Sequence, residues 1–419
     1  MIKSLKIKNF KSIEELDLEL GRFNVFIGEN GAGKSNILEA IVLAGAASAD
    51  KLDNEFLSSR GIRVTQPEFM RSAFLSKNAN EPIIITAQDV RDTTVQYSIN
   101  NDNAPYSNWT CGVHLRTRGG KDKIKNLSRL LKSYVDSLTL DELTSFREEF
   151  EKQFDINTLK LASAADKAAS TSPLVPLSFT FEKMSPEMLA EHGFAPANFD
   201  DLENFLIFSP ENSALRAFER DGQIEPLGIN GEGLLKLLTV MSQSDDLSEI
   251  KAVKKSLKMF GWFQDFLIKN EDGREKMILQ DCFVDQDGKM FDQRSANEGF
   301  LFAAFYFALF SSRLTPTFFA IDNIDASLNP KLCERLIRLL VQSSKKNNKQ
   351  AILTTHNPAT LDGLNLDDDE QRLFVVSRGR SGQTRIRRFA KPQRGSSDYP
   401  IRLSEAFIRG SLGGLPKGF

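Results

Sequence analysis

Cysteine and histidine are scarce in this chain, and its apolar runs are short. The three cysteines, Cys111, Cys282 and Cys333, are far apart and odd in number. They show neither the spacing of metal ligands nor the density of a disulfide-stabilised secreted domain, so we expect reduced thiols and a cytoplasmic protein. The longest wholly apolar run, Phe300 to Phe310, has about half of the roughly 20 residues that a membrane-spanning helix needs. It predicts a buried helix, and we expect no membrane partner.

A large net charge is also lacking. The chain has 54 Lys and Arg against 56 Asp and Glu, which gives a formal charge of −2. No global electrostatic field then draws the protein onto nucleic acid, so any such contact must be local. With 419 residues, the chain can bury a large core and form two or three domains.

The stretch FNVFIGENGAGKSNILEAI, residues 23–41, is the most informative one. An apolar strand leads into a glycine-rich loop, and the apolar spacing after the loop predicts a helix. The pattern G-x-x-x-x-G-K-S matches the P-loop, whose backbone N–H groups and helix N-terminus attract phosphate. Its lysine reaches the β- and γ-phosphates and its serine binds Mg²⁺. We therefore expect ATP and Mg²⁺ as cofactors, with contacts from Asn30, Gly31, Ala32, Gly33, Lys34, Ser35 and Asn36.

The segment LKIKNFKSIEELDLEL, residues 5–20, followed by this loop resembles the opening of SMC, RecF and OLD-type ATPases of the ABC superclass. The resemblance implies an α/β fold: an ABC-ATPase head, which is a P-loop NTPase with a mixed sheet and flanking helices. In that family the NFKS element lies over the nucleotide, which implies contacts from Lys11 and Ser12. An ordinary exposed strand lysine is the alternative for Lys11.

Two further apolar strands carry polar residues to their ends. PTFFAIDNID leads to Asp322, a carboxylate suited to Mg²⁺, and QAILTTHNP delivers His356 to its tip. Ligands of open α/β sheets collect at such strand ends. The resemblance implies that His356 is the switch histidine and that NIDASLNP is a D-loop facing a second subunit. It also implies a glutamine near the metal, for which Gln66 and Gln88 both qualify; Gln88 is our choice.

The segment DQRSANEGFLFAAFYFALF, residues 292–310, occupies the place of the ABC signature. Family members usually have a serine followed by glycines there, whereas this chain has Ser295, Asn297, Glu298 and Gly299. We expect Ser295 to cap a helix whose positive end faces the γ-phosphate bound by a partner subunit. A plain N-capped core helix is the alternative.

Asn323 stands directly after Asp322, where the resemblance implies a glutamate that polarises the attacking water. An amide cannot accept a proton from water, so we expect slow hydrolysis. The resemblance implies that an amide at this position favours a long-lived ATP-bound dimer. The expected catalytic set is Asp322, Asn323, His356 and Asp325. Asp325 and, across the dimer, Glu298 are the carboxylates that could substitute for the missing one.

The predicted head is split along the chain. Residues 1–110 supply the P-loop and a β-rich arm, residues 111–225 a mainly helical insertion, and residues 226–419 the signature, the Asp322 strand and the His356 strand. The insertion is far too short for the long coiled coil of SMC proteins, which favours compact RecF, OLD or defence-type heads. We expect no Toprim nuclease domain on this chain.

Two stretches are locally basic. Residues 116–132 carry seven Lys and Arg with one acid, and residues 372–394 carry eight with none. The second stretch predicts a hairpin with turn glycines at Gly379 and Gly382. It is a solvated face, a site for nucleic-acid backbone or a site for an acidic protein.

Two functions follow, and a purely structural nucleotide-binding scaffold is a third. In the first, a homodimer or higher homo-oligomer of ATPase heads controls a separately encoded effector, a nuclease or toxin, in prokaryotic antiviral defence. Compact OLD-like ATPases of the Septu and PARIS kind are similar. In the second, the chain is a RecF-like DNA-repair clamp.

Overall fold

The computed structural model describes most of both predicted head segments. The described residues are 1–118 without 73, 75–79 and 106, then 176–181, 200–271 without 219–223, 274–284, 291–390 and 402–413. The strands are β1 (Ile2–Phe10), β2 (Ile13–Glu19), β3 (Phe23–Ile27), β4 (Ile83–Asp89), β5 (Thr94–Asn100), β6 (Thr110–Arg118), β7 (Pro176–Phe181), β8 (Ile207–Phe208), β9 (Phe263–Glu271), β10 (Arg274–Asp281), β11 (Phe291–Asp292), β12 (Phe318–Ile321), β13 (Gln350–Thr355), β14 (Gln371–Arg378) and β15 (Thr384–Phe389).

The helices lie between and around these strands. They are α1 (Lys34–Ser48), α2 (Asn54–Ser59), α3 (Pro67–Met70), α4 (Asp200–Glu203), α5 (Asn212–Leu215), α6 (Leu234–Gln243), α7 (Ser248–Leu257), α8 (Glu298–Ser311), α9 (Pro330–Lys346) and α10 (Leu403–Ile408), with a 3₁₀ helix at Pro358–Gly363. In the part of the chain that the structure describes, no helix combines the length and the apolar character needed to cross a bilayer.

One sheet carries the nucleotide-binding strands in the order β15-β14-β3-β13-β12-β8. The strands from β14 to β8 pair in parallel, and β15 is antiparallel to β14. Every residue of β3, β12 and β13 is buried, as expected for parallel strands covered on both faces. Because these strands run in the same direction, the residues that follow them meet at one edge of the sheet.

The second sheet is the β-rich arm, in the order β2-β1-β4-β5-β6-β7. Its pairings are antiparallel. Along β4 and β5 the side chains alternate between buried and partly exposed, which is typical of a sheet with one face on the core. A small third sheet has the order β11-β10-β9, and its strands precede α8 in the sequence.

Helix α1 lies between the two large sheets. It belongs to a core cluster that combines arm residues such as Ile7 and Ile85 with Phe26, Ile352 and Phe374 of the nucleotide-binding sheet. The helix is buried on all sides from residue 37 to residue 47, as is typical of a helix that is apolar all round. On the other face of the nucleotide-binding sheet, the predicted buried helix is α8, whose residues 299–311 are all buried.

Two strands bear on the predicted domain boundaries at residues 110 and 225. Strand β6, Thr110–Arg118, runs across the first boundary as part of the arm, and β8, Ile207–Phe208, inside the predicted insertion, belongs to the nucleotide-binding sheet. Most of the helical prediction for residues 111–225 lies outside the described residues. The division into three segments therefore stays a prediction.

A single glutamine side chain joins the arm to the nucleotide-binding sheet. Gln350, at the start of β13, accepts a hydrogen bond from Ile2 N (2.9 Å) and donates to Ile2 O (2.7 Å) and Gly21 O (2.8 Å). Its side chain is 2% exposed. The amide thus replaces the backbone partners that Ile2 would otherwise lack in a buried position.

Replacing Gln350 with leucine tests this link. Gln350→Leu removes the side-chain partner of the buried Ile2 N–H and C=O, whereas Gly21 O keeps its hydrogen bond from Asn24 Nδ2 (2.9 Å). We therefore expect the free energy of unfolding to fall by about 2 kcal/mol. Chemical denaturation measures the loss. The matched control is Gln342→Leu at an exposed position of α9, which we expect to stay within about 0.5 kcal/mol of wild type. Equal stability of the two variants would contradict the assigned role.

Candidate nucleotide site

The loop between β3 and α1 has the shape of a phosphate-binding loop. Lys34, the first residue of α1, is buried, and its Nζ donates to Gly28 O (2.9 Å) and Glu29 O (3.0 Å). Burial lowers the pKa of Lys34, and the charges of Asp322, Glu29 and Asp325 oppose that shift. The loop therefore holds its cation beside backbone carbonyls, within the field of nearby carboxylates.

Two glycines of this loop are required by their surroundings. Gly33 has a φ of +103°, and a methyl group on it would lie 2.0 Å from Thr384 Oγ1. A methyl group on Gly28 would lie 2.0 Å from Val376 O. Both positions need glycine because the β14–β15 hairpin approaches the loop more closely than a side chain allows.

Asp322 faces Ser35 at the end of β12. Ser35 Oγ donates to Asp322 Oδ2 at 3.4 Å, and the Thr354 hydroxyl donates to Asp322 Oδ1. The Asp322 N–H donates to Phe208 O at 2.8 Å, which fixes the strand end to β8. The structure thus brings together two of the three residues predicted to bind Mg²⁺.

Asn323 and Asp325 follow in a tight turn. Asn323 is exposed and has a φ of +55°, in the left-handed region that asparagine tolerates better than most residues. Its N–H donates to Thr354 Oγ1 at 2.9 Å. One carboxylate oxygen of Asp325 accepts from Thr355 Oγ1 at 2.6 Å. The carboxylate nearest in sequence to Asn323 on its C-terminal side is thus already hydrogen-bonded to β13.

His356 stands directly after β13, beside these groups. Its pKa lies below the ordinary value of 6.5, first because the surrounding protein removes part of the ring's hydration and second because of the positive charge of Lys34. Asp325 and Asp322 oppose the shift. The ring is therefore neutral at pH 7, and its side chain remains in contact with solvent.

The NFKS element lies at the same edge of the nucleotide-binding sheet as the P-loop. Its Lys11 and Ser12 side chains are already bonded to other protein groups. Lys11 Nζ forms an ion pair with the buried Glu39 of α1 and donates to Arg63 O at 2.8 Å. Arg63 Nε also binds Glu39, at 2.7 Å. Ser12 Oγ accepts from Asn36 Nδ2 at 2.6 Å. Direct contacts of Lys11 and Ser12 with nucleotide therefore stay predictions.

The signature segment begins with a different cap from the expected one. Asn297 is the N-cap of α8, and its side chain accepts from Phe300 N at 2.8 Å. The expectation that Ser295 caps this helix is wrong, because Ser295 lies two residues earlier and its hydroxyl contacts Asp292 Oδ1 at 3.4 Å. Ser295, Asn297 and Glu298 are exposed, whereas Gly299 is buried against Ser327 of the predicted D-loop.

Arg216 holds the signature segment in place. Its guanidinium donates to three backbone carbonyls of that segment, Gln293 O (2.8 Å), Arg294 O (2.6 Å) and Ala296 O (2.8 Å). Nε donates to Asn212 Oδ1 at 2.9 Å. The exposed residues of the segment are therefore presented from a fixed backbone.

The structure does not bring Gln88 to the metal residues. Gln88 pairs with Ser4 at the beginning of β1, and its amide donates to Asp92 Oδ1 at 3.3 Å. The NFKS element, residues 9–12, lies at the other end of β1. Gln66 lies at that other end, as the residue before α3, whose Met70 carbonyl accepts from Lys11 N at 3.0 Å.

The residues present fit a magnesium-bound nucleotide. Ser35 and Asp322 supply two hard oxygen ligands, and among the described residues no group of three or more His, Cys, Asp or Glu could hold a metal alone. Mg²⁺ at nucleotide sites typically takes one or two protein oxygens, with phosphate oxygens and waters completing its octahedron. The donor set therefore suits a metal that arrives with its nucleotide.

Comparison with known families matches residues 23–362 to the family described as "AAA domain, putative AbiEii toxin, Type IV TA system". The chain belongs to this AAA family. It is an ABC-type ATPase similar to RecF and OLD proteins, and the expected fold class, an ABC-ATPase head, is confirmed.

Individual relatives match over very different lengths. RecF of Bacteroides thetaiotaomicron is 23% identical over 394 residues, 90% of this chain and 97% of that protein. The OLD nuclease of Thermus scotoductus is 41% identical over 66 residues, 16% of this chain and 11% of the nuclease. Among solved structures, the SmcHead bound to the C-winged helix domain of ScpA has a TM-score of 0.47 and 14% identity, covering 93% of this chain and 98% of that chain.

Several residues around the site were missed by the motif analysis. Thr354 and Thr355, which bind the two aspartates, directly precede His356, and two hydroxyls at a strand end are a signal that could have been used. Glu39 is the one acid in the apolar series ILEAIVLAGA of α1, a pattern that indicates a buried ion pair. Arg216 and Thr384 carry no local signal.

The pKa of His356 reports the charge of Lys34. We expect the His356 ring to titrate below 6.5, and Lys34→Met to raise that pKa because the neighbouring cation is removed. Imidazole NMR measures it, and His356→Gln assigns the signal among the three histidines. Lys251→Met, on an exposed position of α7, is the control. An unchanged titration in Lys34→Met would place Lys34 outside the field of this ring.

Proposed function

We propose that this chain binds ATP with Mg²⁺, hydrolyses it slowly and works in its ATP-bound dimeric form. The observation that carries the proposal is the end of β12. Ser35 meets Asp322 there, while an amide, Asn323, occupies the position where the family places its water-activating carboxylate. Positioning and charge stabilisation account for most of phosphoryl transfer, so such a site retains nucleotide binding and loses rate.

The neighbouring carboxylates support slow hydrolysis. Asp322 accepts from both Thr354 and Ser35, and Asp325 accepts from Thr355. These hydrogen bonds tie both aspartates to neighbouring hydroxyl groups, so neither carboxylate is free to move into the place of the missing base. In the proposal, Ser35 and Asp322 hold Mg²⁺, which neutralises phosphate charge, and Lys34 binds the β- and γ-phosphates.

The exposed signature supports association of two heads. Ser295, Asn297 and Glu298 are on the surface at the N-terminus of α8, whose capped end is the positive pole of a 14-residue helix. A partner's γ-phosphate would meet this end in an isologous dimer. Glu298, in the first turn, would then stand beside the partner's phosphate as the carboxylate supplied in trans.

A role in prokaryotic defence, through a separately encoded nuclease or toxin, completes the proposal. The family description names a toxin of a type IV toxin–antitoxin system, and one relative is an OLD nuclease. The altered residues Asn323, Asn297 and Glu298 suit a sensor whose signal is the bound nucleotide. We place this sensor in the cytoplasm, as the cysteine pattern predicts.

A RecF-like role in DNA repair is the second candidate. It is favoured by the match to RecF of Bacteroides thetaiotaomicron, which spans 97% of that protein. The basic stretch of residues 372–394, which the structure describes up to residue 390, is the proposed nucleic-acid contact for either role. Its strands are β14 and β15, and Arg380 and Arg385 are exposed, whereas Arg388 pairs with Asp369 at 2.6 Å. Specific binding to gapped DNA would favour repair over defence.

Blocking the signature should prevent association. We expect Ser295→Arg to bind ATP as the wild type does and to remain monomeric, because the bulky cation occupies the surface that meets the partner. Analytical ultracentrifugation with and without ATP measures the change. Ser244→Arg, at an exposed position after α6, is the matched control. If both variants associate like the wild type, the signature does not form the interface.

Restoring a carboxylate at residue 323 should speed hydrolysis. We expect Asn323→Asp and Asn323→Glu to raise kcat by about tenfold, which corresponds to about 1.4 kcal/mol off the barrier. Aspartate tolerates the left-handed backbone of this residue, whereas glutamate is strained there by about 1 kcal/mol. The ATP-bound dimer should also have a shorter lifetime in both variants.

Asn323→Gln is the control for size, since it matches glutamate in shape and lacks the charge. Steady-state phosphate release measures kcat at saturating ATP. Equal rates for glutamate and glutamine at this position would mean that another group organises the water. Asp325→Asn and Glu298→Gln would then identify that group.

A further inference from the structure

The β14–β15 hairpin supports the phosphate loop from behind. Arg378 Nε donates to Gly31 O at 2.7 Å, and Thr384 Oγ1 donates to Ala32 O at 3.0 Å. Gly33 is so close to Thr384 that position 33 has no room for a side chain. Consecutive carbonyls of the loop are thus held by one hairpin.

Thr384 belongs to a directed chain of hydrogen bonds that ends at Ala32 O. It is 1% exposed, and its N–H donates to Ser12 O at 2.7 Å. Asn36 Nδ2 donates to Ser12 Oγ, which lies 2.6 Å from Thr384 Oγ1. Because the Thr384 hydroxyl donates to Ala32 O, it accepts from Ser12. The order Asn36, Ser12, Thr384, Ala32 gives each hydroxyl one donor and one acceptor partner.

The held carbonyls determine where the loop's N–H groups point. In a planar trans peptide the C=O of one residue and the N–H of the next point in opposite directions. Thr384 draws the Ala32 carbonyl toward the hairpin, so the Gly33 N–H points to the inner side of the loop. Inward N–H groups of successive residues form the anion-binding concavity of such loops.

We propose that Thr384 is a positioning residue for the β-phosphate, acting through the Ala32–Gly33 peptide. The inference rests on the proposed binding of ATP at Lys34. It also assigns Ser12 a supporting role, since the Ser12 hydroxyl is engaged with Thr384 and Asn36. The chain of hydroxyls thus links the NFKS element to the phosphate loop through β15.

Calorimetric titration with ATP and with ADP tests the proposal. We expect Thr384→Val to weaken both nucleotides by the same factor, about five- to tenfold, because both carry a β-phosphate and one hydrogen bond is lost. Thr384→Ser keeps the hydroxyl and should bind within about twofold of wild type. Thr384→Ala serves if valine prevents folding, and should show the same loss.

Thr239→Val is the matched control. Thr239 is also a buried threonine, and its hydroxyl donates to a single carbonyl, Leu235 O, at 2.9 Å. We expect this variant to lose stability without losing nucleotide affinity. Wild-type affinity in both Thr384→Val and Thr384→Ala would overturn the proposal, as would equal weakening in Thr384→Ser.

The proposed ATP binding has its own test in the same experiment. Wild-type protein that binds neither ATP nor ADP, or Lys34→Ala that binds them normally, would overturn the function and this inference with it. Tight binding by wild type, its loss in Lys34→Ala and no effect of Thr384 variants would overturn the positioning role alone.

Discussion

The nucleotide site depends on the burial of α1 between two sheets. The helix is enclosed by the arm on one side and the nucleotide-binding sheet on the other, and protein interiors this closely packed leave little room for a helix to shift. Lys34 begins this helix, so the lysine, the loop before it and the sheet edge form one rigid unit. The glycine and alanine residues near the other end of α1 serve the same packing, since a methyl group on Gly45 would lie 2.2 Å from Leu202 O.

The site's charges are held mainly by hydroxyl and backbone groups. Thr354, Thr355 and Ser35 each donate to an aspartate, and Lys34 lies against two carbonyls. Such partners fix the direction of the carboxylates, which suits binding of a metal and phosphates. This geometry suits a site that holds its nucleotide, as proposed above.

Contiguous motifs could be predicted from the sequence, and residues joined across the fold could not. Lys34, Asp322 and His356 each follow an apolar strand, so local pattern was enough to place them together. Gln88 was misplaced because an antiparallel strand can present either end to the site, and the pairing partner β1 was unknown. Ser295 and Asn297 are both good caps, and local propensity does not separate them. The contact of Ser12 with Thr384 spans 372 residues in sequence, and the hairpin was predicted without this role.

Gln350 couples the unfolding of the two sheets. Its side chain binds Ile2 and Gly21 as another strand would, while α1 shares its core with both layers. Local opening of a protein follows groups of contacts that break together. The arm and the nucleotide-binding sheet therefore form one cooperative unit, and amide protons in β1 should exchange with solvent as slowly as those of β13. Strand β1, which is more than 300 residues away from β13 in the sequence, thereby becomes as persistent as the centre of the core.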